Sequence, residues 1–130
     1  MSELISYING VEDKIVTTGA KTAAIKKAQS ALKLCFSSDY YELVKEFGCL
    51  LIKGETIFGV VDNESYDVVS NTLIEKSRYS DIPNDCYVIS SLGIEGVLIL
   101  QNSLGKVFEY SFGSSLKMIS NTLLEYLESL

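Results

Sequence analysis

Three carboxylates stand close together in the stretch VDNESYD, where Asp62, Glu64 and Asp67 lie within six positions. Carboxylate oxygens are the ligands that hard cations such as Ca²⁺ and Mg²⁺ take in proteins. The stretch lacks the glycine and the closing glutamate of a calcium-binding loop, so it matches no known cation loop. A solvated acidic loop that leads into a helix N-terminus is the favoured interpretation, because the helix dipole stabilises negative charge there. We therefore expect no bound metal ion.

The sequence offers few other side chains for catalysis. It contains no histidine, which excludes the commonest general base, the serine triad and most zinc sites. Cys35, Cys49 and Cys86 are widely spaced without a CxxC pair, and we expect them to be reduced and mostly buried. No loop has the GxxxxGK[ST] pattern that binds a phosphate. The sequence predicts a protein that is not an enzyme and holds no cofactor.

Charge is unevenly distributed along the chain, whose formal net charge is −6. Residues 1–53 contain seven lysines against six acidic residues, a net +1, which leaves −7 for residues 54–130. This excess argues against direct nucleic-acid binding and favours a basic partner. Acidity that merely keeps a cytoplasmic protein soluble is the alternative explanation.

Carboxylates and one tyrosine of the acidic half are the candidate contacts with a basic partner. Carboxylates pair with the Lys and Arg side chains that a nuclease uses on phosphates, and tyrosine adds contact area at low entropy cost. For Glu109, simple exposure to solvent is the alternative. The predicted partner-binding residues are Glu55, Asp62, Glu64, Tyr66, Asp67, Glu95 and Glu109.

The first half of the chain contains helical patterns and a predicted strand pair. Residues 22–34 and 40–47 have apolar side chains at helical spacing, with capping side chains at 37–39 and Gly48 after the second helix. Less regular patterns predict a short helix at 2–9 and a short strand at 14–18. Two strands are predicted at 50–53 and 55–61, with a turn near Lys53-Gly54.

The second half predicts a helix, an antiparallel meander and a last helix. The first of these helices covers about 66–78, with Val69, Leu73 and Lys76 on one face. The meander has strands at 86–90, 97–101 and 107–110, and the middle one is apolar on both faces, so we expect it to be covered on both sides. Ser114-Ser115 caps the predicted last helix, whose apolar residues are Leu116, Ile119, Leu123, Leu127 and Leu130. Tyr40, Tyr87 and Tyr126 are predicted packing residues, and Leu116, Leu123 and Leu127 are predicted core residues.

This order of elements lacks the regular alternation of parallel βαβ units and predicts an α+β fold with a mostly antiparallel sheet. At 130 residues, we expect a single domain, residues 1–130. No apolar run reaches the roughly 20 residues of a membrane span. The N-terminus has no basic start to a signal peptide, so we expect a cytoplasmic protein that does not contact a membrane.

The chain resembles the SUKH superfamily, the Smi/Knr-like proteins, over most of residues 20–130. The segments IKKAQSAL (25–32) and FSSDYYELVKEFG (36–48) resemble its N-terminal helix, its LP-x-D/E-Y junction and the next helix with its terminal glycine. The later segments IFGV (57–60), IPND (82–85) and GKVFEY (105–110), before the final helix, resemble its later strands. The resemblance implies a bacterial immunity protein that binds and blocks a cognate toxin, often a nuclease domain. A regulatory or scaffold interaction module of the same fold is the alternative.

Overall fold

The computed structural model describes residues 2–94 and 96–130. These residues form five α-helices and seven β-strands, with a 3₁₀ turn, Glu64–Tyr66, before the fourth helix. In chain order the elements are α1 (Glu3–Gly10), β1 (Lys14–Val16), α2 (Thr22–Leu32), α3 (Ser38–Phe47), β2 (Leu50–Ile52), β3 (Glu55–Ile57), α4 (Val68–Arg78), β4 (Cys86–Ser91), β5 (Val97–Asn102), β6 (Val107–Ser111), β7 (Lys117–Ser120) and α5 (Leu123–Glu128).

The strands form two antiparallel sheets. Strands β1, β2 and β3 make a three-stranded sheet in that order, and β4 to β7 make a four-stranded meander. The N–H of Phe58 donates to the carbonyl of Ile89 at 2.8 Å, which connects the end of β3 to β4. The arrangement confirms the predicted α+β fold with mostly antiparallel pairing and helices packed against it.

The middle strand of the meander is covered on both faces, as predicted. Leu98, Ile99 and Leu100 of β5 are buried, although consecutive side chains of a strand point to opposite faces. On one side α4 packs against the sheet, where the N–H of Val88 donates to Thr72 Oγ1 at 2.9 Å. The predicted packing role of three tyrosines is also confirmed, since all three are buried: Tyr40, Tyr87 and Tyr126.

A buried hydrogen-bond network connects the α2–α3 junction to the four-stranded sheet. The N–H of Ser37 donates to the hydroxyl of Tyr87 at 3.0 Å, and that hydroxyl donates to Gln101 Oε1 at 2.8 Å. Gln101 Nε2 donates to Asp39 Oδ1 at 3.1 Å, and Asp39 Oδ2 accepts from the N–H of Leu123 at 2.9 Å. The network fixes the N-termini of α3 and α5 relative to β5, because each buried polar group has a partner.

The prediction for the last helix was wrong at its start. The chain pairs as β7 with β6, and α5 begins only after Thr122, whose side chain accepts a hydrogen bond from the N–H of Glu125. Leu116, predicted to be core, is 37% exposed, whereas Leu123 and Leu127 are buried. Leu116 is spaced from the later leucines as in a helix, although β7 and the start of α5 lie between them.

The prediction for α4 placed the wrong side chains on its buried face. Val68 and Thr72 are buried, while Leu73 is 50% exposed. The helix begins after Asp67 instead of at Tyr66, and the hydroxyl of Thr72 has a backbone partner in β4. A threonine was therefore not recognised as a core residue.

No helix of the described residues combines the length and the apolar character that crossing a membrane requires.

Candidate partner-binding site

Residues 62–67, the acidic turn, connect β3 to α4 and are fixed to the sheet by Gly59. The N–H of Gly59 donates to the carbonyl of Tyr66 at 3.0 Å, and the N–H of Val68 donates to the carbonyl of Gly59 at 2.7 Å. The backbone on both sides of Gly59 is thus engaged with the end of the turn. The turn has one defined position relative to the three-stranded sheet.

Only glycine fits at position 59, because another backbone segment lies against it. A Cβ atom there would stand 1.6 Å from the carbonyl oxygen of Gly48, far inside van der Waals contact. The glycine of the IFGV segment therefore has a packing reason. The same residue makes the two backbone hydrogen bonds that hold the end of the acidic turn.

The backbone of the acidic turn is held by two asparagine side chains. Asn71 Nδ2 donates to the carbonyls of Ser65 and Asp67 at 3.2 and 2.9 Å. Asn63 Oδ1 accepts from the N–H of Ser65 at 3.0 Å. A turn that is ordered before binding loses less conformational entropy when a partner arrives.

Asp67 caps α4, so its carboxylate has a structural task. Its side chain accepts from the N–H of Ser70 at 3.1 Å and from the N–H of Val61 at 3.4 Å. An aspartate at an N-cap satisfies an amide that has no partner within the helix, and its charge complements the helix dipole. The predicted helix N-terminus is confirmed here. Asp67 holds the turn while the neighbouring carboxylates face the solvent.

Asp62 and Glu64 are exposed, and their carboxylates make no hydrogen bond or ion pair to any other residue that the structure describes. Tyr66, at the end of the 3₁₀ turn, is 47% exposed. Two carboxylates and one aromatic ring are thus presented to solvent on a short, fixed segment. This arrangement suits contact with a cationic surface.

The other predicted carboxylates are in a different environment. The hydroxyl of Tyr126 donates to Glu55 Oε2. Burial raises the pKa of Glu55, and the hydrogen bond from Tyr126 partly opposes that shift. Burial, together with the hydrogen bond to Glu55 and the charges of Glu55 and Glu109, raises the pKa of Tyr126. Glu109 is half-buried in β6, opposite Lys117 of β7.

The structure therefore divides the predicted contact residues into two groups. Glu55 and Thr56 are consecutive in β3, so their side chains point to opposite faces. Thr56 lines a groove together with Tyr66, whereas Glu55 faces Tyr126 of α5. The acidic turn and the Glu55–Glu109–Tyr126 cluster do not form one surface. Glu95, also predicted, lies outside the described residues.

One family model matches the whole chain, residues 1–130: that of SUKH_5, described as SMI1-KNR4 cell-wall. The chain belongs to this family. The match confirms the resemblance that the sequence segments indicated. No curated protein matches the chain.

SUKH proteins are commonly associated with immunity functions and with protein partners, and they are generally not catalytic. Neither buried cysteine of this SUKH chain is suited to act as a nucleophile. Burial raises the pKa of Cys49, and burial together with nearby Asp85 raises the pKa of Cys86 to about 12, so both remain protonated thiols at neutral pH. Among residues 2–94 and 96–130, no group of three or more metal-binding side chains lies within reach of one ion.

Another cavity of this SUKH chain lies away from the acidic turn, beside the N-terminus of α5. It has a volume of about 560 Å³ and is lined by carboxylates, serines and a loop between β5 and β6. The Asp39 carboxylate at its wall is already bound to Gln101 and to the N–H of Leu123. The same carboxylate also accepts a hydrogen bond from the hydroxyl of Ser37, so both of its oxygens are engaged by groups of the fold.

Two smaller grooves flank the acidic turn. One, of about 330 Å³, separates the turn from α2 and is lined by Ala24, Lys27, Ala28, Ala31, Val60, Val61, Asp62, Asp67 and Val69. The other, of about 240 Å³, is called here the outer groove and is lined by Ile15, Thr17, Cys49, Leu51, Thr56 and Tyr66.

Sequence patterns did not single out the apolar side of the outer groove. The run Leu50-Leu51-Ile52 is apolar throughout, so alternation gave no sign that Leu51 faces outward while its neighbours are buried. Ile15 was assigned only to a short strand. The one sequence signal for this groove was Ile15, an apolar residue in a short strand to which no core role had been assigned.

Proposed function

We propose that this protein is an immunity protein that binds and neutralises a cognate polymorphic toxin, of the nuclease type, in the cytoplasm of the producing cell. In this proposal residues 1–130 act as one non-catalytic domain. The partner is a basic protein, and neither nucleic acid nor a membrane is bound directly.

The observation that carries the proposal is the fixed, solvent-facing pair of carboxylates in the acidic turn. Asp62 and Glu64 have no internal cationic partner among the described residues, although the turn's backbone is extensively hydrogen-bonded. Charges that are held in place and left unpaired are available to the Lys and Arg side chains of a nuclease. Family membership and the −7 charge of residues 54–130 support the same conclusion.

The predicted contact residues have different roles in this proposal. Asp62, Glu64 and Tyr66 are the proposed direct contacts, and Asp67 positions them. Glu55, Glu95 and Glu109 remain predicted contacts and add to the negative field of this half of the protein. Long-range attraction of this kind raises association rates more than it raises final affinity.

The test is a titration of the purified protein against the C-terminal domain of any toxin encoded next to its own gene, with nuclease activity and affinity measured together. The proposal predicts stoichiometric loss of nuclease activity and an association rate that falls steeply with salt. A folded protein that neither binds nor inhibits that domain would contradict the proposal and favour a regulatory or scaffold module of the same fold.

A further inference from the structure

A row of side chains on the outer face of the three-stranded sheet is left uncovered. Ile15, Leu51 and Thr56 are directly paired across β1, β2 and β3, so they lie side by side on one face. On the other face of β2 and β3, three side chains are buried in the core: Leu50, Ile52 and Ile57. The core therefore uses only one face of this sheet, while its outer face is open.

The outer groove is bounded on one side by the acidic turn. Tyr66 lines the groove and follows Glu64 on the same 3₁₀ turn. Ile15 also lines the groove and is 66% exposed, so the described chain leaves most of this residue uncovered. An apolar floor thus lies beside the turn that carries the unpaired carboxylate of Glu64.

The lysines of the neighbouring strands are directed toward other groups. Lys14 Nζ donates to the carbonyl of Val11 at 2.7 Å, and Lys53 Nζ donates to the hydroxyl of Tyr7 at 2.9 Å. Their ammonium groups are thus already hydrogen-bonded, while Asp62 and Glu64 remain available. Glu64 lies on the turn whose Tyr66 lines the groove, whereas Asp62 lines the other groove, across the turn. A partner that fills the outer groove and extends over the turn therefore meets both negative charges, so it requires positive flanking groups.

We propose, on the basis of the function proposed above, that the outer groove receives one apolar side chain of the toxin, flanked by Lys or Arg residues that pair with Glu64 beside the groove and with Asp62 across the acidic turn. At about 240 Å³ the groove is smaller than the roughly 300–1,000 Å³ of a pocket for a drug-sized ligand, which favours a single large side chain. Interfaces commonly gain most of their energy from such buried anchors, and the surrounding charges contribute orientation and rate. The apolar contact in the groove thus slows dissociation of the complex, and the carboxylates select for a basic partner.

The experiment measures affinity of the neighbouring toxin domain for the unchanged protein and for two groove variants, Ile15→Ser and Tyr66→Ser. The matched control is Leu104→Ser, because Leu104 is 81% exposed and lies in the β5–β6 loop. Each groove variant is expected to weaken binding at least about fivefold, mainly through faster dissociation, and to do so at high salt as well as low salt. The control is expected to leave binding unchanged.

Binding of both groove variants with unaltered affinity would overturn this inference and leave the proposed function intact. If the unchanged protein fails to bind the toxin domain, the proposed function fails, and the groove is tested separately by amide NMR with capped tripeptides. Arg-Leu-Arg is expected to shift the amide resonances of Ile15 and Leu51 as well as those of the acidic turn, whereas Arg-Gly-Arg shifts only those of the acidic turn. Absence of groove shifts with Arg-Leu-Arg, or concentration-dependent shifts without peptide that indicate a second copy in the groove, would overturn the inference.

Discussion

The acidic turn and the Glu55–Glu109–Tyr126 cluster are both rich in carboxylates and tyrosine, but Asp62 and Glu64 of the turn are exposed, whereas the carboxylate of Glu55 is partly buried and hydrogen-bonded. In the turn, hydrogen bonds hold the backbone and leave Asp62 and Glu64 in solvent. In the cluster, a tyrosine hydroxyl binds the carboxylate of Glu55 directly, and burial raises its pKa. Acidic composition alone therefore does not define a binding surface. The two regions differ in which group the hydrogen bonds occupy: the backbone in the acidic turn, and the carboxylate itself in the cluster.

The largest expected effect comes from removing the backbone contact that positions the acidic turn. Gly59→Ala would place a methyl group against the Gly48 carbonyl, and we expect it to lower the free energy of unfolding by more than about 3 kcal/mol. Urea denaturation followed by circular dichroism measures this change. The control is Gly10→Ala, whose added methyl has open space at the end of α1 and is expected to change stability by less than about 1 kcal/mol. Equal stabilities of the two variants would contradict the packing argument.

The next effect concerns the hydroxyl that binds Glu55. Tyr126→Phe leaves a half-buried carboxyl group without its donor, and we expect a loss of about 1–2 kcal/mol in the free energy of unfolding. Tyr66→Phe is the matched change in the acidic turn, and its effect on unfolding should be near zero because Tyr66 is half-exposed. Similar losses in the two variants would remove the distinction between the regions.

A smaller effect is expected at the helix cap. Asp67→Ala removes the acceptor for the N–H of Ser70 and should cost about 1 kcal/mol of stability, whereas Asp67→Asn keeps an N-capping side chain and should cost less. Chemical denaturation of both variants measures the difference. If the alanine variant were as stable as the asparagine variant, Asp67 would be another free carboxylate, like Asp62.

The smallest effect is a pH dependence from Glu55. Since its pKa is raised mainly by burial, the neutral acid stabilises the fold fully below the ordinary glutamate pKa, and that contribution is lost as pH rises through the folded-state pKa. The stability of the unchanged protein should therefore fall relative to Glu55→Gln as pH rises above about 4, the ordinary glutamate pKa, and through the raised pKa of folded Glu55. The free energy of unfolding of both proteins, measured by denaturation at successive pH values, tests this prediction. If the stability difference between the two proteins stayed constant with rising pH, or grew in favour of the unchanged protein, burial would not disfavour the charged form of Glu55.

The sequence predicted the acidic turn because all of its determinants are local. Asp67, the cap, and Asp62 and Glu64, the exposed carboxylates, lie within one six-residue stretch. The fold class followed similarly from helical spacing and from the glycine-marked turns of the meander. These signals depend only on near neighbours in the chain.

The cluster and the outer groove could not be predicted in this way. Glu55 and its partner Tyr126 are 71 positions apart, so no local pattern connects them. The groove depends on strand register, which places Ile15 beside Leu51 and Thr56, and a uniformly apolar strand does not reveal which side faces out. The start of the last helix was missed because Leu116 continues a helical period that the chain does not follow.

The most direct test of the central claim is a comparison of two charge-matched double variants in binding to the neighbouring toxin domain. One is Asp62→Lys with Glu64→Lys, and the control is Asp85→Lys with Glu128→Lys, which changes the net charge equally. Asp85 lies by Asn84, which contacts Lys76 in the last turn of α4, and the 11-residue length of that helix, about 16 Å, separates this end from the acidic turn. Glu128 is exposed at the end of α5.

Both carboxylates of the acidic turn are exposed and unpaired, and Asp85 and Glu128 are exposed as well, so each double variant should remain folded. The account predicts that reversal in the acidic turn weakens toxin binding at least about tenfold at low salt, while the control changes it by less than about threefold. Equal losses in the two double variants would show that only net charge matters and would contradict the acidic turn as the binding site.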